Sequence, residues 1–292
     1  MKTSAAILSL LLLSACSSRP AAPRQLYAMD TCTKVNYPHS NVHSPEQQLD
    51  LVKKYGYAGI AWTAEEPARV AALAAAAQQR GVPMFAIYVG AELTRDALVP
   101  DSRFHDILAA APNQDAIIWL HLGSKAFAHS DATGDAVAVP ALQAIAAAAA
   151  KQGWRVAIYP HMGEWTERFA DAIRLAQKVD RPNFGVTFTL CHSLMAGDEE
   201  RIPELLRQAG PRLMAVTVNG ADHAAAHSSW QRLIQPLGSG NYSVANLLRE
   251  LDQIGYRGPI ALQGYGIALA PEEKLSRSMQ AWRQLTAEKS GD

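Results

Sequence analysis

The most constraining feature of this chain is a regular beat. From Leu26 onward, short apolar runs rich in β-formers alternate with Ala/Leu-rich stretches of helical period, and the alternation repeats eight times. The runs are Leu26–Asp30, Ala58–Thr63, Met84–Val89, Ala116–Leu122, Arg155–Tyr159, Phe184–Thr189, Leu213–Asn219 and Ile260–Gln263. Their apolar character is nearly continuous, as in parallel strands covered on both faces. Eight β-α units in one chain predict an α/β fold, a single closed (β/α)8 barrel over residues 26–292. An open doubly wound sheet is the alternative. Its nucleotide-binding version is weakened, because no G-x-G-x-x-G or G-x-x-x-x-G-K loop follows the first run.

Helix punctuation agrees with the beat. Ser44-Pro45-Glu46-Gln47 reads as an N-terminus, with Ser44 as cap, Pro45 in the first turn and Gln47 closing a capping box. Gly56, Gly81, Gly153 and Gly255 stand where the following helical stretches should stop. Val139–Lys151 is so rich in alanine that it forms helix readily but offers a thin core face.

The segment ahead of the beat is of another kind. Met1-Lys2, the apolar run Ala5–Leu13 and the small residues Ser14-Ala15 form a secretory signal over residues 1–15. That run is shorter than the roughly 20 apolar residues a membrane span needs, and no second run of sufficient length is expected. Leu13-Ser14-Ala15-Cys16 resembles the lipobox of bacterial lipoproteins, which implies an acylated Cys16. An ordinary signal peptide with a chance cysteine is the alternative. Residues 16–25 would be a Pro/Ala/Ser tether. Ser17 after the cysteine, by resemblance to Gram-negative lipoproteins, implies the outer membrane, facing the periplasm. Lys+Arg and Asp+Glu both total 27, so the basic excess expected of a nucleic-acid binder is missing. Cys32 and Cys191 are expected to be free buried thiols, although an exported location permits a disulfide.

In a barrel, chemistry sits at the carboxyl ends of the strands. Those positions hold Asp30 and Thr31; Trp62, Thr63 and Glu65; Tyr88 and Glu92; His121 and Lys125; Tyr159, His161, Glu164 and Trp165; Thr187, Thr189 and His192; Asn219, Asp222 and His223; and Gln263 and Tyr265. Any single histidine there is more often a hydrogen-bonded surface residue than a catalyst. Three of them, His121, His161 and His192, would converge on one mouth. Trp62 and Trp165 beside such groups suit a carbohydrate, with apolar C–H faces and a belt of hydroxyls. His223 and His227 have the spacing of a metal pair on a helix, but the intervening alanines and serines read as a solvated loop.

Tyr159-Pro160-His161, Gly185-Val186-Thr187-Phe188-Thr189-Leu190-Cys191-His192, Val218-Asn219-Gly220-Ala221-Asp222, Gln235-Pro236-Leu237-Gly238-Ser239-Gly240 and Gly255-Tyr256-Arg257-Gly258-Pro259-Ile260 resemble the xylose isomerase-like TIM barrel superfamily. It holds sugar and sugar-phosphate isomerases and epimerases and the endonuclease IV type. In its metal-dependent members a divalent ion is held by Glu, Asp, His and Glu after strands five to eight. Carried over by position, these ligands fall on Tyr159, Thr189, Thr217 and Gln263, while the accompanying His161 and His192 remain. A related subgroup writes Tyr-Pro-His, Leu-Cys-His, Asn-Gly-Ala-Asp and Leu-Gln-x-Tyr-Gly at these places, as this chain does. Neutral Tyr, Thr and Gln cannot offset a divalent charge, which wants oxygen anions. A metal-clamp mechanism is therefore hard to sustain and no cofactor is assigned, with a divalent metal as the alternative that the family resemblance leaves open.

These readings predict a periplasmic, membrane-tethered isomerase, epimerase or related lyase acting on a sugar by proton transfer beside a carbonyl. His161 and His192 are the expected acid and base, since imidazole titrates near neutrality. Trp62, His121, Glu164, Trp165, Asn219, Asp222, Gln263 and Tyr265 are expected to bind substrate, with His121 or Lys125 available to steady an oxyanion. A non-catalytic carbohydrate-binding lipoprotein is the alternative. An endonuclease would need a metal cluster and a basic groove. The expected partners are an unphosphorylated sugar and, through Cys16, the membrane, with no nucleic acid.

Overall fold

The computed structural model describes residues 24–34, 43–64, 66–111, 116–224 and 229–287. Cys16, the signal segment, Glu65 and His227 lie outside the described residues, as does the tether up to residue 23.

Nine strands form one sheet: β1 (Leu26–Met29), β2 (Ile60–Thr63), β3 (Met84–Leu93), β4 (Leu98–Pro100), β5 (Ile117–Ser124), β6 (Arg155–Ile158), β7 (Phe184–Thr189), β8 (Leu213–Val218) and β9 (Ile260–Leu262). All but β4 are parallel, and β1 pairs with both β2 and β9, so eight strands close a ring. The chain is a single (β/α)8 barrel. Its helices are α1 (Pro45–Lys54), α2 (Pro67–Arg80), α3 (Phe104–Ala110), α4 (Asp135–Lys151), α5 (Phe169–Val179), α6 (Leu190–Met195), α7 (Ile202–Ala209), α8 (Trp230–Leu233), α9 (Val244–Gln253) and α10 (Pro271–Ala287).

Local chemistry sets the helix ends. The Ser44 side chain accepts from Gln47 N–H, Gln47 returns the bond to the Ser44 backbone, and Pro45 opens α1. Gly81 ends α2 at φ +65°, a left-handed conformation that costs a residue without Cβ little. One strand departs from its expected bounds by more than two residues. β3 runs on to Leu93 because Gly90 to Leu93 keep pairing with β5, and Ala91 to Leu93 also fold back onto β4. Glu92 therefore lies within a strand paired on both sides, and its carboxylate accepts from Lys125 N–H.

The segment 132–151 is long and apolar enough to cross a membrane by composition, contrary to the sequence expectation. It is instead a barrel helix for most of its length. Asp135, Ala138, Leu142, Ile145, Ala146 and Ala149 share the inward face of α4, the helical period that serves a soluble core.

The barrel interior is lopsided. Phe85, Trp119 and Tyr159 fill one side, while the buried residues that β2, β6, β8 and β9 give this layer are Ala61, Ala157, Ala215 and Ala261, with Met214 of β8 partly buried against them. Alanine reaches too short a distance to close the space, so a cavity opens above this layer at the carboxyl ends of the strands.

Candidate active site

The cavity measures about 330 Å³. All eight parallel strands, or the segments that follow them, contribute to its wall: Asp30, Trp62, Tyr88, Trp119, Tyr159, His192, Trp230 and Gln263 in chain order. Thr31, Thr63, His161, Met162 and Tyr265 also line it. Among the described residues no lysine or arginine does.

The histidine pole follows β6 and β7. The rings of His161 and His192 lie 4.3 Å apart, tilted by 44°. His192 is also edge-on to Trp230, at 5.2 Å. Burial drives the pKa of His192 well below that of a free imidazole, and the neighbouring His161 pushes the same way. Burial lowers His161 too, opposed by the negative charge of Glu164. Both rings are therefore held toward the neutral form. Behind them Glu164 Oε1 sits 2.7 Å from His121 Nδ1 and 3.9 Å from His161 Nδ1. The His121 ring stacks flat on Tyr88 at 4.3 Å.

The opposite pole follows β1. Asp30 is buried and takes Lys34 Nζ at 2.5 Å. It also accepts from the Thr63 N–H at 3.1 Å and the Thr63 hydroxyl at 3.3 Å. Lys34 stands 6.0 Å from the centre of the Trp62 ring. The turn carrying these groups is tied down from α10, where buried Lys274 donates to the carbonyls of Thr31 and Lys34.

The expected site residues thus separate. His161, His192, Trp62, Gln263 and Tyr265 meet at the cavity. His121 and Glu164 stand in a layer behind His161. Trp165 is fully buried, and its indole N–H donates to Asp131 O, so its ring has no face to offer a ligand. Asn219 is buried as well and spends its amide on the carbonyls of Gly220 and Leu233, which steadies α8. Asp222 pairs with Arg232. Lys125 is exposed and His223 pairs with Glu199, both outside the cavity lining. Cys32 and Cys191 are free and buried, with burial raising both thiols to about 12.

Trp119, Met162 and Trp230 were not legible as site residues. Trp119 lies mid-strand and looks like core, yet it floors the cavity, and its indole N–H has no partner among the described residues. Trp230 arrives on a short helix after β8. An aromatic residue next to a loop was the only signal for it.

The positions where the resemblance puts metal ligands carry a different chemistry. Gln263 and Thr217 stand against the Tyr159 hydroxyl and draw its pKa down, but burial outweighs them and the phenol is held protonated. The Thr189 hydroxyl donates to Pro160 O at 3.4 Å. Among the described residues no group of three His, Cys, Asp or Glu is placed to share an ion. Neutral hydroxyls and an amide do not fit a hard divalent cation.

A closed parallel barrel with a polar and aromatic cavity at its carboxyl ends defines a class of small-molecule enzyme folds. Residues 49–285 match the xylose isomerase-like TIM barrel family, and the chain belongs to it. A relative is the uncharacterized protein MJ1311 of Methanocaldococcus jannaschii, 26% identical over 119 residues; the match spans 40% of this chain and 39% of that protein. Among solved structures, a xylose isomerase-like TIM barrel/4-hydroxyphenylpyruvate dioxygenase fusion protein superposes with TM-score 0.66 at 18% identity, covering 92% of this chain and 44% of that one. D-allulose 3-epimerase from Methylomonas sp., in complex with D-allulose, gives TM-score 0.66 at 15% identity, covering 90% and 97%. The fold is that of the sugar isomerases and epimerases.

Proposed function

We propose that this chain is an exported, lipid-anchored enzyme that moves a proton beside the carbonyl of an unphosphorylated sugar or sugar derivative. The product would be an isomer, an epimer or a related elimination product. The observation that carries the reading is the pair of neutral-leaning imidazoles, His161 and His192, in the wall of an aromatic cavity at the strand ends. An unprotonated imidazole beside hydrogen-bond donors can take the proton that enolisation removes. Trp62, Tyr88, Trp230 and Tyr265 offer faces for sugar C–H groups, and Asp30 and Gln263 offer polar partners for hydroxyls. Among the described residues the wall holds no lysine or arginine, which supports an uncharged ligand over a phosphorylated one. Export is supported by Leu13-Ser14-Ala15-Cys16 and fits a substrate found outside the cytoplasm. The neutral set Tyr159, Thr189, Thr217 and Gln263 supports chemistry without the divalent ion that the family resemblance implies.

The second reading is a carbohydrate-binding lipoprotein without turnover, favoured by the same neutral set. One experiment separates the two. The purified protein is analysed for bound metal and incubated in deuterated water with a panel of aldoses, ketoses and keto-sugars, followed by NMR. Carbon-bound deuterium that disappears in His161→Gln supports the enzyme. Saturable binding without exchange or turnover favours the binder. Stoichiometric metal would overturn the metal-free part of the proposal.

A further inference from the structure

The two cavity histidines are fastened to one residue by opposite ends. Met162 N–H donates to His192 Nδ1 at 3.1 Å. The Met162 carbonyl faces His161 Nδ1 at 3.0 Å. A backbone N–H can only donate and a carbonyl can only accept. His192 Nδ1 must therefore be the bare nitrogen, which puts the proton of the neutral ring on Nε2. His161 Nδ1 must carry a proton, which leaves its Nε2 bare. Both rings line the cavity, and no group among the described residues takes either Nε2.

Gln263 has its amide fixed by the same logic. Its Oε1 accepts from Gly264 N–H at 2.8 Å, Tyr265 N–H at 3.0 Å and the Thr31 hydroxyl at 2.8 Å. The end turned toward Tyr159 is then the NH2 group, a pure donor.

We infer that the two histidines are not interchangeable: His161 Nε2 is the base, and His192 Nε2–H, with the Gln263 amide, is a neutral donor set for the carbonyl oxygen. This rests on the proton-transfer reading above. In the step, the proton on the carbon beside the carbonyl passes to His161 Nε2. The C–H electron pair forms the new C=C bond, and the carbonyl π pair moves onto oxygen, where the donors of His192 and Gln263 meet it. Glu164, held by His121, faces the imidazolium formed at His161. Return of the proton, or of a deuteron gained from solvent, restores the carbonyl with nothing added or lost. A neutral imidazole suits the donor role because it stabilises the oxyanion without protonating the ground-state carbonyl oxygen.

The test reads the protein before it reads catalysis. Ring-15N-histidine protein is examined by long-range 1H–15N correlation near pH 8. His161 should show the proton on Nδ1 and His192 on Nε2. On acidification His161, which faces Glu164 and His121, should titrate before His192, which among the described residues faces His161, Met162, Tyr159 and Trp230. Identical tautomers, or His192 protonating first, would overturn the inference. In deuterium exchange, His161→Gln should lose about 10²–10⁴-fold. His192→Phe should lose about 10²–10³-fold, with partial rescue in His192→Gln, which restores an N–H donor. Equal loss in His192→Gln and His192→Phe would count against the donor role. Opposite tautomers with no exchange on any sugar would sink the proposed function but leave this polarity standing. Exchange with identical tautomers would do the reverse.

Discussion

Trp165 offers the sharpest test of which aromatic residues serve the fold and which serve the site. Its position beside His161 and Glu164 suggests a sugar-stacking ring, but the side chain is fully buried. The indole N–H donates to Asp131 O at 2.9 Å, Trp165 N–H donates to Leu122 O, and Trp165 O accepts from Ser130 N–H. The ring also packs so closely on Gly134 that a Cβ there would come within 2.9 Å of it. Trp165 therefore staples the loop after β6 to the loop after β5. Trp165→Ala removes a large core side chain and should cost about 3–5 kcal/mol. At about 2–4 °C per kcal/mol for a domain of this size, the melting temperature should drop by roughly 6–20 °C. Trp165→Phe keeps most of the ring but removes the indole donor to the Asp131 carbonyl, which is left with the longer Gly134 N–H bond at 3.4 Å, adding a hydrogen-bond loss of about 1 kcal/mol to a modest packing loss. Thermal melts and urea titrations on wild type and both variants decide the matter, with Tyr265→Ala, at an exposed ring that lines the cavity, as the contrast that should weaken ligand binding more than stability. A Trp165→Ala protein that melts with the wild type yet loses its ligand would refute the reasoning.

The buried His192 gives a signed pH dependence. Its folded pKa lies below that of the unfolded chain, so the unfolded state binds the proton first as pH falls. Its contribution is fully present above about pH 6.5 and is lost below it, at about 1.4 kcal/mol for each unit of depression. Urea midpoints from pH 8 to 5 should fall, and His192→Gln should flatten the slope; a flat wild-type curve would contradict the burial. Lys34→Met should cost about 3–5 kcal/mol by leaving Asp30 charged and buried, and Asp30→Asn added to it should recover part of that. If the double variant is as unstable as the single one, the ion pair is not the cause. Gly220→Ala should be poorly folded, because its Cβ would lie 2.1 Å from Pro236 O in the bridge that carries the chain past α8. Near-normal expression and melting would show that this turn can yield.

Most of the fold was legible because its causes are local. Period, capping and helix-closing glycines act within a few residues, so the eight strands fall within a few residues of their expected bounds. β3 was misjudged because its extension depends on β4 and β5, partners that no local pattern reveals. The site was legible in part for the same reason. His161, His192, Trp62, Gln263 and Tyr265 follow from the rule that strand ends converge. Trp165, Asn219 and Asp222 share that sequence signature, but their partners Asp131, Leu233 and Arg232 turn them to other work.

By itself the sequence determined the barrel, the set of residues delivered to its carboxyl end, and the neutral chemistry at the positions of the family's metal ligands. Only the tertiary structure decided which rings face inward, because a side chain's direction depends on neighbours far along the chain. It also decided the roles of the two histidines. Met162 presents an N–H to one ring and a carbonyl to the other, and that contrast of donor and acceptor exists only once the loop after β6 has folded against α6.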